Sequence, residues 1–294
     1  MKPAIAVVEL HGKYKVYTEF YANPQAQKTI VLVNGSLSTT AAFAQTIKYL
    51  QPHFNVVLYD QPYAGQSKAH NDNSWPITKE NEASILLGLI EHFQADQLMS
   101  FSWGGVAAML ALAKRPARIE KAVVCSFSPL LNEPMIDYLE EGLTYLNSAE
   151  GHALGDLVNS TIGKHLPSLF KRYNQRHIGS LDQHEYRQMH AHVHQVLHMD
   201  AHCQMECLAA IDIPVLFVNG EHDEYTSAQD VRVFASHLND CHFVTINNAG
   251  HFLDMEHKGA WLQCKAALLG FLDTPARSHS AALYQHEQPL AMAI

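Results

Sequence analysis

Apolar positions along the chain fall into short unbroken runs separated by longer segments with helical spacing. Thr29-Ile30-Val31-Leu32-Val33-Asn34 and Asn55-Val56-Val57-Leu58-Tyr59-Asp60 are apolar at nearly every interior position. Such runs suit strands covered on both faces of a mostly parallel sheet. Further strands are expected at residues 98–101, 121–126, 214–219 and 242–246. Helices are expected at residues 40–50, 79–93, 103–114, 228–238 and 258–272. Near the N-terminus, residues 6–10 and 14–20 read as an antiparallel edge pair, the second with polar and apolar positions alternating. Alternation of strand and helix over this length predicts a doubly wound α/β sheet.

The pattern breaks between residues 132 and 206, where helical periodicity continues without a convincing strand. This segment is expected to be a helical lid inserted between two strands. The division that follows is a first core part at 1–131, the lid at 132–206 and a second core part at 207–274. A polar C-terminal tail occupies 275–294.

The chemistry begins at Ser102, which follows the apolar run Leu98-Met99-Ser100-Phe101 and precedes a small-residue helix through Trp103-Gly104-Gly105. A serine on a sharp turn from buried strand to helix is the mark of a nucleophile elbow. A serine hydroxyl is a poor nucleophile alone and needs a base, which in turn needs a group to hold its tautomer. Both candidates lie downstream, just past strand ends. Asp223 stands in Asn219-Gly220-Glu221-His222-Asp223, preferred over Glu221 and Glu224, and His251 stands in Asn248-Ala249-Gly250-His251-Phe252. The carboxyl ends of parallel strands are where such side chains converge. Oxyanion donors are expected from the backbone N–H of Trp103 and from Ser36, in the loop after the first buried strand.

At 294 residues with 47% hydrophobic and 17% charged residues, the chain is of ordinary globular composition. Its apolar stretches are too short to span a bilayer and its first residues lack a secretion signal. Five cysteines, an odd number set mostly in apolar segments, fit reduced thiols, so a cytoplasmic protein is expected. A net charge of −9 without a basic stripe argues against nucleic acid as a partner. The histidines at 190, 192, 194, 198 and 202, with Cys203 and Cys207, have some helical spacing but not a ligand set on one face, and no metal is expected.

Asp60-Gln61-Pro62-Tyr63-Ala64-Gly65-Gln66-Ser67 is similar to a turn common in the α/β-hydrolase superfamily, which the chain resembles over nearly its whole length. One departure is Ser100, where the Gly-x-Ser-x-Gly elbow usually has glycine. Asn34-Gly35-Ser36, Ser102-Trp103-Gly104-Gly105, Gly250-His251-Phe252-Leu253-Asp254 and the lid segment Gly163-Lys164-His165-Leu166-Pro167 resemble one branch more narrowly. That branch holds the 3-hydroxyacyl-ACP:CoA transacylases of polyhydroxyalkanoate synthesis and the synthases of rhamnolipid lipid precursors. The resemblance implies a medium-chain (R)-3-hydroxyacyl group carried by acyl carrier protein (ACP), an acyl-serine intermediate, no bound cofactor and CoA as co-substrate. Water as acceptor would make a thioesterase, and a second hydroxyacyl group a synthase. A non-catalytic acyl-binding protein stays open from the fold alone. The His-x4-Asp motif associated with the branch occurs as His177 and Asp182, inside the lid. Because ACP is acidic, the basic cluster Lys164, Lys171, Arg172 and Arg176 is a docking candidate, with a solvated helix face as the alternative.

Overall fold

The structure, a computed structural model, describes residues 2–72, 74–199, 205 and 208–274. Its strands are β1 (Ala4–Leu10), β2 (Tyr14–Tyr21), β3 (Thr29–Val33), β4 (Asn55–Tyr59), β5 (Gln97–Phe101), β6 (Lys121–Cys125), β7 (Val215–Gly220) and β8 (Cys241–Ile246). They form one sheet in the order β1-β2-β4-β3-β5-β6-β7-β8. β1 pairs antiparallel with β2, and β2 antiparallel with β4. Every later pairing is parallel.

The unbroken apolar runs have a simple cause, since each strand from β3 to β7 feeds two cores. Ile30 and Leu32 of β3 pack into the layer that includes Leu50 and Leu268, whereas Val31 and Val33 pack into the layer that includes Leu86 and Ala108. The first layer is covered by α1 (Ile47–Leu50) and α8 (Lys258–Leu272), the second by α2 (Lys79–Phe93) and α3 (Gly104–Leu112). α2 starts where Thr78 accepts a hydrogen bond from the Asn81 N–H, a capping box.

Between β6 and β7 the chain forms α4 (Glu133–Ser148), α5 (Gly151–Ser160), α6 (Ser168–Gly179) and α7 (Gln183–Leu197). α4 packs on α7, and α5 on α6. A buried polar seam ties this insert to the core. Gln188 and His192 of α7 both donate to the Ile77 carbonyl, at 2.8 and 2.7 Å. Lys68 pairs with Asp182 and Glu185, each at 2.8 Å.

Two expected helices are corrected. Residues 40–50 split into a 3-10 turn at Thr40–Ala44 and the one-turn α1, and residues 228–238 hold a 3-10 helix at Asp230–Ser236. In each 3-10 segment the only buried residues are three apart, Thr40 with Phe43 and Val231 with Phe234. That spacing lines up on a three-residue turn and gives no face to a longer α-helix. The polar tail at 275–294 lies outside the described residues, as do His202, Cys203 and Cys207. Among the described residues no helix is long and apolar enough to cross a membrane.

Candidate active site

β5 delivers Ser102 into a left-handed conformation, φ +50°, before α3 begins at Gly104. Glycine is required just beyond it. A Cβ at Gly104 would sit 2.4 Å from the Asn34 carbonyl oxygen, and one at Gly105 2.7 Å from the Phe127 ring. The elbow is therefore wedged between the loop after β3 and the loop after β6. Ser100 is fully buried at the position where glycine is usual, and its hydroxyl has no partner among the described residues.

The three separated residues meet. The Ser102 hydroxyl lies 2.9 Å from His251 Nε2, and His251 Nδ1 lies 2.8 Å from Asp223 Oδ2. A carboxylate can only accept at Nδ1, so Nε2 is left free to take the Ser102 proton. Asp223 follows β7 in a tight turn, accepting from the N–H groups of Tyr225 and Thr226 at 3.0 and 3.1 Å and from the Thr226 hydroxyl at 2.5 Å. Burial pushes its carboxyl up, but the His251 ring and the Thr226 donors outweigh this and hold it below the usual carboxylate range. It stays charged at neutral pH.

Residues not anticipated from sequence hold the imidazole in place. The Ser126 hydroxyl donates to the His251 carbonyl at 2.6 Å. The buried Glu256 carboxylate brackets the same residue, accepting from Gly250 N–H at 2.7 Å and Phe252 N–H at 3.0 Å. The sequence offers only one signal of this, a Gly-His-Phe followed by a glutamate one helical turn later.

Ser36 and Trp103 line one small chamber with Ser102 and His251. Neither backbone N–H has an acceptor among the described residues, so both are available to an anion formed at Ser102. His177 and Asp182 do not act together. His177 Nε2 donates to the Leu37 carbonyl at 2.8 Å, tying α6 to the loop that carries Ser36. Asp182 caps α7, accepting from His184 and Glu185 N–H groups, and pairs with Lys68.

The basic cluster divides. Lys164 pairs with Glu224 at 2.7 Å, and the Lys171 ammonium donates to the Lys164 carbonyl at 2.8 Å. Arg172 and Arg176 are exposed, without an ion-pair partner among the described residues. With the exposed Leu169 and Tyr173 they occupy one face of α6 at the i, i+3, i+4, i+7 spacing. The rings of His190, His194 and His198 lie in a row, the first pair tilted and the second stacked, while His192 is buried away from them. Among the described residues no group of three or more histidine, cysteine or acidic side chains is placed to hold a metal.

Residues 28–258 match the family described as alpha/beta hydrolase fold. The (R)-3-hydroxydecanoyl-ACP:CoA transacylase of Pseudomonas aeruginosa is 61% identical over 272 residues, covering 92% of this chain and 91% of that protein. The enzyme of that name from Ectopseudomonas oleovorans is 57% identical over 277 residues, 94% of each chain. Among solved structures, a hydrolase from Pseudomonas aeruginosa superposes with a TM-score of 0.73 at 19% identity, over 92% of this chain and 98% of that one. The enol-lactonase from Burkholderia xenovorans does so with a TM-score of 0.74 at 18% identity, over 92% and 100%. The sheet order, the elbow and the family match agree: the chain belongs to the α/β-hydrolase fold family.

Proposed function

We propose that this protein is an acyltransferase that moves a medium-chain (R)-3-hydroxyacyl group from ACP to CoA through an ester on Ser102. The chemistry rests on one observation, the unbroken relay Ser102–His251–Asp223 at 2.9 and 2.8 Å. The substrate class rests on relatives of that activity at 57–61% identity over more than nine-tenths of the chain.

His251 takes the Ser102 proton as Oγ attacks the thioester carbonyl. The oxygen becomes negative and is received by the N–H groups of Ser36 and Trp103, while Asp223 stabilises the imidazolium. Collapse breaks the carbon–sulfur bond, His251 protonates the departing pantetheine sulfur, and the acyl group remains on Ser102. In the second half His251 deprotonates the CoA thiol, which attacks the ester and restores the serine.

The exposed α6 face supplies a docking surface for an acidic carrier. Arg172 and Arg176 offer unpaired charge, and Leu169 and Tyr173 apolar contact, on a chain whose net charge of −9 would otherwise repel ACP.

Purified protein given 3-hydroxydecanoyl-ACP with CoA should form 3-hydroxydecanoyl-CoA by mass spectrometry, with holo-ACP released in equal amount. Free acid as the main product in the presence of CoA would refute the transferase reading, and a dimeric ester would replace it with the synthase.

A further inference from the structure

A small chamber holds Ser102 and His251, and two larger cavities lie near it. The small one, beneath α4 and α7 and walled by Met135, Leu146 and Val193, has a volume of about 30 Å³, room for a single water-sized group. Of the larger ones, a cavity of about 380 Å³ lies between α6 and the core layer under α1 and α8, and one of about 300 Å³ is lined by Trp103, Ser126 and Thr226. A narrow space that touches Ser102 and His251 shares Leu37, Phe101, Asn174, His177 and Phe252 with the 380 Å³ cavity and no lining residue with the 300 Å³ one.

Exposure gives the 380 Å³ cavity a direction. Its outer wall is the same Leu169 and Tyr173 face of α6, 65% and 51% exposed. Its deep wall is Met99, Cys125, Cys264 and Leu268, each at most 4% exposed. The lining is predominantly apolar, with one polar feature at depth: Asp254 accepts from both the Thr46 and the Tyr49 hydroxyls at 2.8 Å. Burial raises the Asp254 carboxyl above the usual range.

We infer that the large cavity holds the aliphatic chain of the acyl group during transfer, with the Asp254–Thr46–Tyr49 cluster as the stop that limits chain length. This assignment rests on the acyl-serine reading above. A methylene occupies roughly the 30 Å³ that a water molecule takes in the liquid, so the cavity accommodates a chain of about ten to twelve carbons. The smaller chamber accommodates none of that length. A longer chain would press its methyl end on a hydrogen-bonded carboxyl, displacing polar partners for no return. Ala42 lines the cavity and touches neither the Ser102 relay nor the oxyanion donors, so a larger side chain there shortens the available space.

Ethyl and decyl fluorophosphonates test this without any thioester. Ser102 Oγ attacks phosphorus, the P–O bond forms as the P–F bond breaks, and His251 takes the proton while fluoride leaves. Rate constants for labelling of the full-length protein are read by intact mass. The wild type should label faster with the decyl probe. Ala42→Phe should lower the decyl-to-ethyl rate ratio about tenfold, the equivalent of excluding roughly two methylenes. Ala42→Leu carries the same test with a smaller shift if the phenylalanine variant does not fold. A ratio unchanged in both variants, or one lowered instead by Gly142→Leu in the smaller chamber, overturns this assignment alone. Absence of Ser102 labelling by either probe overturns the acyl-serine reading and the assignment with it.

Discussion

His192 makes the attachment of α7 to the core sensitive to acid. It is 1% exposed, its Nε2 donates to the Ile77 carbonyl at 2.7 Å, and its Nδ1 has no partner among the described residues. A second proton would therefore place an N–H where no acceptor waits. Burial, reinforced by the nearby Lys79 charge and opposed by Glu82 and Glu80, pushes its pKa down to about 4. The ordinary value in an unfolded chain is about 6.5. With the folded value the lower one, the neutral ring favours the native state above pH about 6.5, and that contribution drains away as the pH falls toward about 4. From these two values, lowering the pH from about 7 to about 5 removes about 2 kcal/mol, and the full loss approaches about 3 kcal/mol. Urea unfolding of the wild type and of His192→Gln at the two pH values isolates the effect. Glutamine can still donate to Ile77 but does not titrate, so the variant should lose about 2 kcal/mol less than the wild type on acidification. Equal losses would refute the reasoning.

Asp223→Asn should leave the fold intact and lower kcat about 10⁴-fold in the acyl-transfer assay, because the amide favours the wrong imidazole tautomer. Ser126→Ala removes the hydroxyl that holds the His251 carbonyl, and kcat should fall about tenfold with KM for acyl-ACP little changed. Gly104→Ala drives a Cβ into the Asn34 carbonyl, and thermal unfolding should show a loss of about 3 kcal/mol or more together with loss of Ser102 labelling. Arg172→Glu with Arg176→Glu should raise KM for acyl-ACP about tenfold at low salt and reverse its salt dependence, with steady-state kinetics at two ionic strengths as the check.

Much of this architecture can be read from local pattern. β3, β4 and β6 are buried on both faces, which forces unbroken apolar runs, and α2 carries both its cap and its length in the sequence. Ser102, Asp223 and His251 are legible because each follows a strand, and strand ends of a parallel sheet share one edge. What escaped has no local signature. Ser126 reaches His251 across 125 positions and Thr46 reaches Asp254 across 208, so no spacing advertises either contact. The 3-10 segments were hidden for a different reason, since residues 40–50 and 228–238 have apolar content enough for α-helix and only tertiary packing selects the tighter turn. The large cavity is a void between three elements, and sequence patterns describe what is filled.

The insert α4–α7 separates Ser102 from both of its partners in chain order. During synthesis the serine emerges with its elbow long before the imidazole and the carboxylate exist, and an unassisted hydroxyl is inert toward thioesters. A product ending inside the insert would thus lack the base and the acid that Ser102 needs. Within this chain the relay is complete only once the turn after β8 has been made.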